Sequence, residues 1–226
     1  MADYSIVTKT SETWKNTTGE LKKLNQDKLY YTDNEYGFPI VKSSEFIDIK
    51  ELIPFHMCKK KLKRDKDKTV HFFLDDYKFE ILWSNPKKCL EILKYYGQCI
   101  SPTYSIWGKQ PYALNLYNMY RSRWVTRFLQ ENDIKVLVDV RWAGKDTYDY
   151  CFSGIERNSP VIVNTVGTKL KANRQMFIDG FEEMIVRLEP SELYVYGEYM
   201  PVTFEDYIDK LTYFPSYWSE KRKNME

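Results

Sequence analysis

Two hydrophobic rhythms alternate along the chain. Short continuous apolar runs, TVHFFL (69–74), QCIS (98–101), IKVLVDVRW (134–142), SPVIVNTVG (159–167) and ELYVYGEY (192–199), have the length and β-branched content of strands buried on both faces. Between them the apolar positions recur at helical spacing. In SNPKKCLEILKYYG the residues Cys89, Leu90, Ile92, Leu93 and Tyr96 form one stripe, with Asn85 placed as N-cap, Pro86 at the first helical position and Gly97 past the end. Residues 111–131 carry Leu116, Tyr117, Tyr120, Trp124 and Phe128 at the same spacing, and residues 172–190 carry Met176, Phe177, Phe181, Ile185 and Leu188. A shorter helical piece is expected near DTYDYCFSG (146–154) and a last helix near TFEDYIDKL (203–211).

Strands alternating with helices at this spacing predict right-handed βαβ units around a mostly parallel sheet. GFPIVKSS (37–44) and DIKELIPF (48–55) can each hold a further short strand, limited by Pro39 and Pro54. If both join, the sheet has about seven strands and the α/β fold is a small or incomplete TIM-like β/α barrel. The alternative is an open doubly wound sheet, which the lack of a glycine-rich phosphate loop after any strand disfavours. The expected organisation is a polar N-terminal arm (1–35), an α/β domain (36–212) and an aromatic, basic C-terminal tail (213–226).

In either architecture a ligand site lies beyond the carboxyl ends of the strands. HFFLDDY (71–77) is such an end, where a run built for burial stops at Asp75 and Asp76. The other ends deliver Ser101, Tyr104 and Ser105; Asp139, Arg141 and Trp142; Asn164 and Thr165; and Tyr196 and Glu198. Each also has a structural reading. Asp75 and Asp76 can cap a turn, and period-2 alternation lets only one of them face inward. His71 suits a satisfied core imidazole, Asp139 a structural ion pair near Arg141, and Arg121, Arg123 and Arg127 a solvated helix face.

Composition narrows the function classes. The 34 basic and 32 acidic residues leave a formal charge of +2, so no global field draws the chain to nucleic acid or membrane. The basic run CKKKLKRDKDK (58–68) reads as a solvated loop or a phosphate-binding patch. Four scattered cysteines without a CxxC pair, and an N-terminus lacking an apolar leader, point to a reducing cytoplasm. No apolar run approaches a membrane span. An aromatic content of 16%, with 19 Tyr, 12 Phe and 6 Trp, suits a pocket or interface as well as a core.

VHFFLDDYKFEILWSNP, SPTYS, the NMYRSRW helix and NTVG, in that order, resemble an uncharacterised domain-of-unknown-function family of bacteriophages and mobile elements of Gram-positive bacteria. The likeness spans residues 37–198, with the FF-aliphatic-DDY piece its most distinctive part. It implies a phage-associated protein in a bacterial host cell and no established activity. Thr103 stands where the family pattern has Asp, Asn164 where it has Ser, and Ala143 and Gly144 where it has acidic residues. Those departures remove carboxylates from the rim and weaken any shared metal-dependent mechanism.

Three function classes follow. An enzyme on a phosphorylated or nucleoside-containing substrate would use Asp75 or Asp76, Asp139 and Glu198 to hold Mg²⁺ or exchange protons, with Arg141 on the phosphate. A binding protein, such as a phage factor sequestering a nucleotide defence signal, would stack a base on Tyr77, Tyr104 and Trp142 and hold the phosphate with Arg141 or Lys145. A nucleic-acid accessory protein for replication would use Lys59 to Lys68 and the tail KRKNM. A phosphorylated small molecule or nucleotide is the expected partner, ahead of nucleic acid.

Overall fold

The structure, a computed structural model, describes residues 24–44, 48–58 and 67–216. Seven strands form one sheet: β1 (Glu51–Pro54), β2 (Lys68–His71), β3 (Gln98–Ile100), β4 (Lys135–Asp139), β5 (Val161–Asn164), β6 (Leu193–Gly197) and β7 (Leu211–Pro215). They lie in sequence order and every neighbouring pair is parallel. A doubly wound sheet reverses its strand order at a switch point, and none exists among the described residues, so the winding is that of an incomplete β/α barrel.

The helices are α1 (Ile81–Ser84), α2 (Lys87–Tyr96), α3 (Tyr112–Gln130), α4 (Tyr148–Phe152), α5 (Lys171–Leu188) and α6 (Pro201–Phe204). Alternation sorts each strand between two layers. Val70, Phe72, Cys99 and Val136 pack outward with Leu82, Leu93, Trp124 and Phe128, while Val138, Val161, Val163 and Val195 pack outward with Phe177, Phe181 and Met184. Ile100, Leu137, Ile162, Tyr194 and Tyr196 fill the concave side.

Side chains from distant strands meet inside. Tyr196 on β6 stacks on Phe73, just past β2, with ring centroids 4.2 Å apart, and lies 5.4 Å from the His71 ring. The sheet is therefore curled into a half-barrel. Leu52 on β1 and Phe214 on β7 border the same small cavity of about 90 Å³. No β7–β1 ladder closes the ring among the described residues.

Four expectations need correction. Residues 37–44 contribute one isolated bridge, Val41 to Ile155, because Asn34 turns the chain by bonding both the N–H and the C=O of Phe38. The seventh strand comes instead from residues 211–215, so the domain runs past 212 into the expected tail, and the segment before it is α6 plus a 3-10 turn, Glu205–Lys210. The described part of the polar arm packs on the domain: Trp124 Nε1 donates to the Lys28 carbonyl at 2.8 Å and Asn25 Nδ2 to the Trp83 carbonyl at 2.8 Å. Residues 1–23 lie outside the described residues. At α2, Gly97 ends the helix in the left-handed region at φ 74°, as the sequence predicts, but Asn85 ends α1 and its side chain caps nothing.

The arginines of α3 overturn the solvated-face reading. From Arg121 to Thr126 every residue is buried, since the sheet covers one side of the helix and residues 28–30 the other. Arg121 makes a forked ion pair to Glu80 at 2.8 and 3.0 Å and bonds Asn118. Arg123, 1% exposed, donates to the carbonyls of Cys151 and Ser153 at the end of α4. Burial lowers its pKa to about 10, still leaving it charged at neutral pH. Arg127 pairs with Glu131 on its own helix. All four cysteines are buried free thiols.

Candidate functional site

A cleft of about 430 Å³ opens at the carboxyl ends of β4 and β5, a size within the range of small-molecule sites. Four of the residues expected at the rim line it: Ser105, Arg141, Trp142 and Asn164.

Arg141 is its charged centre. The side chain extends the inward series of Leu137 and Asp139, and its Nε donates to Asp139 Oδ2 at 2.7 Å. Among the described residues its two terminal nitrogens have no hydrogen-bond partner, which leaves the outer edge of the guanidinium of this cleft-lining residue open. Asp139, 1% exposed, anchors that geometry, with its own N–H held by Ser101 Oγ at 2.8 Å. Burial pushes the Asp139 pKa up and the Arg141 charge pulls it back down. Its second oxygen, Oδ1, is buried with no hydrogen-bond partner among the described residues.

Trp142 forms a wall through a glycine on α5. A Cβ at Gly180 would lie 2.2 Å from Trp142 Nε1, and that indole nitrogen donates to the Met176 carbonyl at 3.2 Å. A mid-helix glycine costs about 1 kcal/mol against alanine, so its use here is explained by the indole it admits. Gly180→Ala is expected to leave stability within about 1–2 kcal/mol, helix propensity offsetting overpacking, while displacing Trp142 from the wall. Trp142 fluorescence, read in a background with the other tryptophans replaced by phenylalanine, would shift to the red. An unchanged spectrum would show that the indole does not depend on Gly180.

The remaining expected residues hold the frame around the cleft. Asp76 accepts from the backbone N–H and the hydroxyl of Ser105 at 3.0 and 2.9 Å, tying the end of β2 to the loop after β3. Asp75 is exposed and paired with Lys78 at 2.7 Å. Tyr77 is also exposed, beneath the Lys78 ammonium. Tyr104 is fully buried, its ring 3.8 Å below the Arg121 guanidinium, which removes it from any stacking role. Thr165 is a clamp: its hydroxyl donates to the Glu198 carbonyl at 2.7 Å and accepts the Glu198 N–H at 2.6 Å. Glu198 itself pairs with Lys169 at 3.3 Å, and Tyr196 fills the barrel interior.

The four expected catalytic carboxylates thus have four different partners rather than one shared focus. Among the described residues no group of three His, Cys, Asp or Glu side chains could hold a metal ion. His71 is buried; its Nδ1 accepts the Phe73 N–H at 3.2 Å and burial pushes its pKa down to about 3, so it is neutral in the fold. Lys145 borders a different, acidic groove with Asp179, Glu182 and Glu183. Residues 59–66 of the basic run and the KRKNM tail lie outside the described residues. No helix among the described residues is long and apolar enough to cross a membrane.

Sequence reasoning placed α5 to within two residues but did not count Trp107 or Asn173 among the residues of the rim. Trp107 and Asn173 border the cleft, and Asn173 lies in the first turn of an 18-residue helix that has no side-chain cap. The missing N-cap residue before Lys171 was a readable signal.

The domain of unknown function DUF4417 matches residues 30–214, which takes in the cleft and the sheet up to the last residue of β7. The chain belongs to the DUF4417 family. Similar curated proteins come from phages. The Gene 1 protein of Mycobacterium phage L5 is 31% identical over 223 residues, covering 96% of this chain and 94% of the relative. The Gene 1 protein of Mycobacterium phage D29 is 28% identical over 225 residues, covering 96% of this chain and 81% of the relative. No solved structure matches significantly. This DUF4417 chain is thus a phage-related α/β protein, as the resemblance to such a family implies.

Proposed function

We propose that this DUF4417 protein binds a phosphorylated small molecule such as a nucleotide in the cleft at the carboxyl ends of β4 and β5, with Arg141 on the anionic group. One observation carries the reading: Arg141 lines a small-molecule-sized cleft with its guanidinium fixed through Nε by a buried carboxylate and its terminal nitrogens unpartnered among the described residues. Two fixed donors on a planar ion suit phosphate oxygens. The uncapped start of α5 beside Asn173 adds the positive end of a helix dipole to the same wall. The separate engagement of Asp75, Asp76, Asp139 and Glu198 favours binding over hydrolysis. In a phage setting, sequestration of a host nucleotide signal is the role such a site would serve.

Titration calorimetry with nucleoside monophosphates, ribose 5-phosphate and inorganic pyrophosphate tests this. At least one should bind, and Arg141→Gln should weaken it at least tenfold, in line with the roughly 1.5–3 kcal/mol of a charged hydrogen bond. Binding that ignores the substitution, or no binding by any of these probes, would refute the assignment.

A further inference from the structure

We infer that the cleft recognises a nucleobase, with Trp107 as the stacking platform and Asn164 and Asn173 as a donor and an acceptor for the edge of the ring. The inference rests on the phosphate-binding reading and adds what holds the other end of the ligand.

Trp107 is a large aromatic residue left 64% exposed at the cleft. Its loop is nevertheless pinned: the buried side chain of Asn115, on α3, accepts the Trp107 N–H at 3.2 Å and donates to the Trp107 carbonyl at 3.0 Å. An exposed indole on a fixed backbone offers its face to a planar ring with little ordering of its own chain.

The two asparagines are oriented by backbone groups of a single character. A backbone N–H only donates, so the oxygen of Asn164 must face Val166 N, which it does at 2.8 Å, and its amide nitrogen is left over. A carbonyl only accepts, so the nitrogen of Asn173 faces the Gly167 carbonyl at 3.1 Å and its oxygen is left over. Both residues border the cleft, and among the described residues neither leftover group has a partner. The site therefore offers a fixed N–H donor, a fixed C=O acceptor, an aromatic face and a guanidinium edge. A sugar phosphate uses only the last; a nucleotide, whose base carries a donor and an acceptor side by side, uses all four.

The test compares nucleoside monophosphates of the four common bases with ribose 5-phosphate by calorimetry on the full chain. At least one nucleotide is expected to bind tenfold or more tightly than ribose 5-phosphate, as stacking alone implies. Trp107→Ala should collapse that gap and leave ribose 5-phosphate binding within about twofold, Trp107→Phe should restore most of it, and Asn164→Ala should change the ranking among bases. Circular dichroism of each variant confirms folding. If ribose 5-phosphate binds as well as every nucleotide, or the gap survives Trp107→Ala, base recognition is wrong while the phosphate reading stands. If nothing binds, both fall.

Discussion

Replacing Arg123 by alanine is expected to destabilise the protein by about 3–5 kcal/mol, the largest effect of any single polar substitution considered. The guanidinium is buried and supplies the hydrogen bonds of the Cys151 and Ser153 carbonyls, so its loss leaves two acceptors dry and a cavity between α3 and α4. Arg123→Met keeps most of the side-chain volume and should recover only the packing part, roughly 1–2 kcal/mol. Urea unfolding of the two variants separates these contributions. A loss under about 1 kcal/mol for Arg123→Ala would mean that solvent satisfies the carbonyls as well as arginine does.

Acid should unfold this protein through His71. The folded state lowers its pKa from 6.5 to about 3, so below pH 6.5 the unfolded chain takes up a proton that the native state refuses. Stability from this group is complete above about pH 6.5 and is lost as pH falls toward 3, with roughly 3 kcal/mol gone by pH 4. Asp139 works in the opposite sense. Its raised pKa lets the native state keep a proton that the unfolded state has released, so its contribution grows as pH falls from that raised value toward about 4. His71→Phe separates the two, since the added ring has the neighbouring cavity of about 90 Å³ to use and cannot titrate. Unfolding midpoints at pH 7, 5.5 and 4 should fall steeply for the natural protein and much less for the variant. Parallel declines would place the acid sensitivity elsewhere.

The fold was legible wherever burial was two-sided. Val136, Leu137 and Val138, like Val161, Ile162 and Val163, run apolar without a break because both faces are covered, and no surface pattern competes with that signal. Leu211–Pro215 was not legible: it is an edge strand, its residues are half-buried or exposed, and Tyr213 and Pro215 read as tail. The count of seven was reached with one wrong member, since 37–44 lent its apolar residues to a bridge and a packed loop. On α3 the error had one source. Helical periodicity assumes one wet face, whereas residues 121–126 are enclosed on all sides, and arginines there are identified only by the carboxylate and carbonyls that answer them.

The cleft was legible as a place more than as a cast. The rule that ligands sit beyond strand ends located Ser105, Arg141, Trp142 and Asn164, because that rule depends only on winding direction. It could not tell a rim residue from a brace. Asp76, Ser101 and Thr165 follow strands as the lining residues do, but their side chains are spent on the end of β4 or on neighbouring loops, a choice set by distances of an ångström that no spacing encodes.

Strand order equal to chain order has a consequence for how the molecule comes into being. Each new strand emerging from the ribosome finds its partner already made, immediately behind it, so the sheet can grow by accretion without waiting for a distant segment. The same order leaves the newest strand always at the edge: until residues 211–215 arrive, Tyr194 on β6 lacks its Phe214 neighbour, and a ribosome stalled before that point would hold an unfinished, adhesive edge.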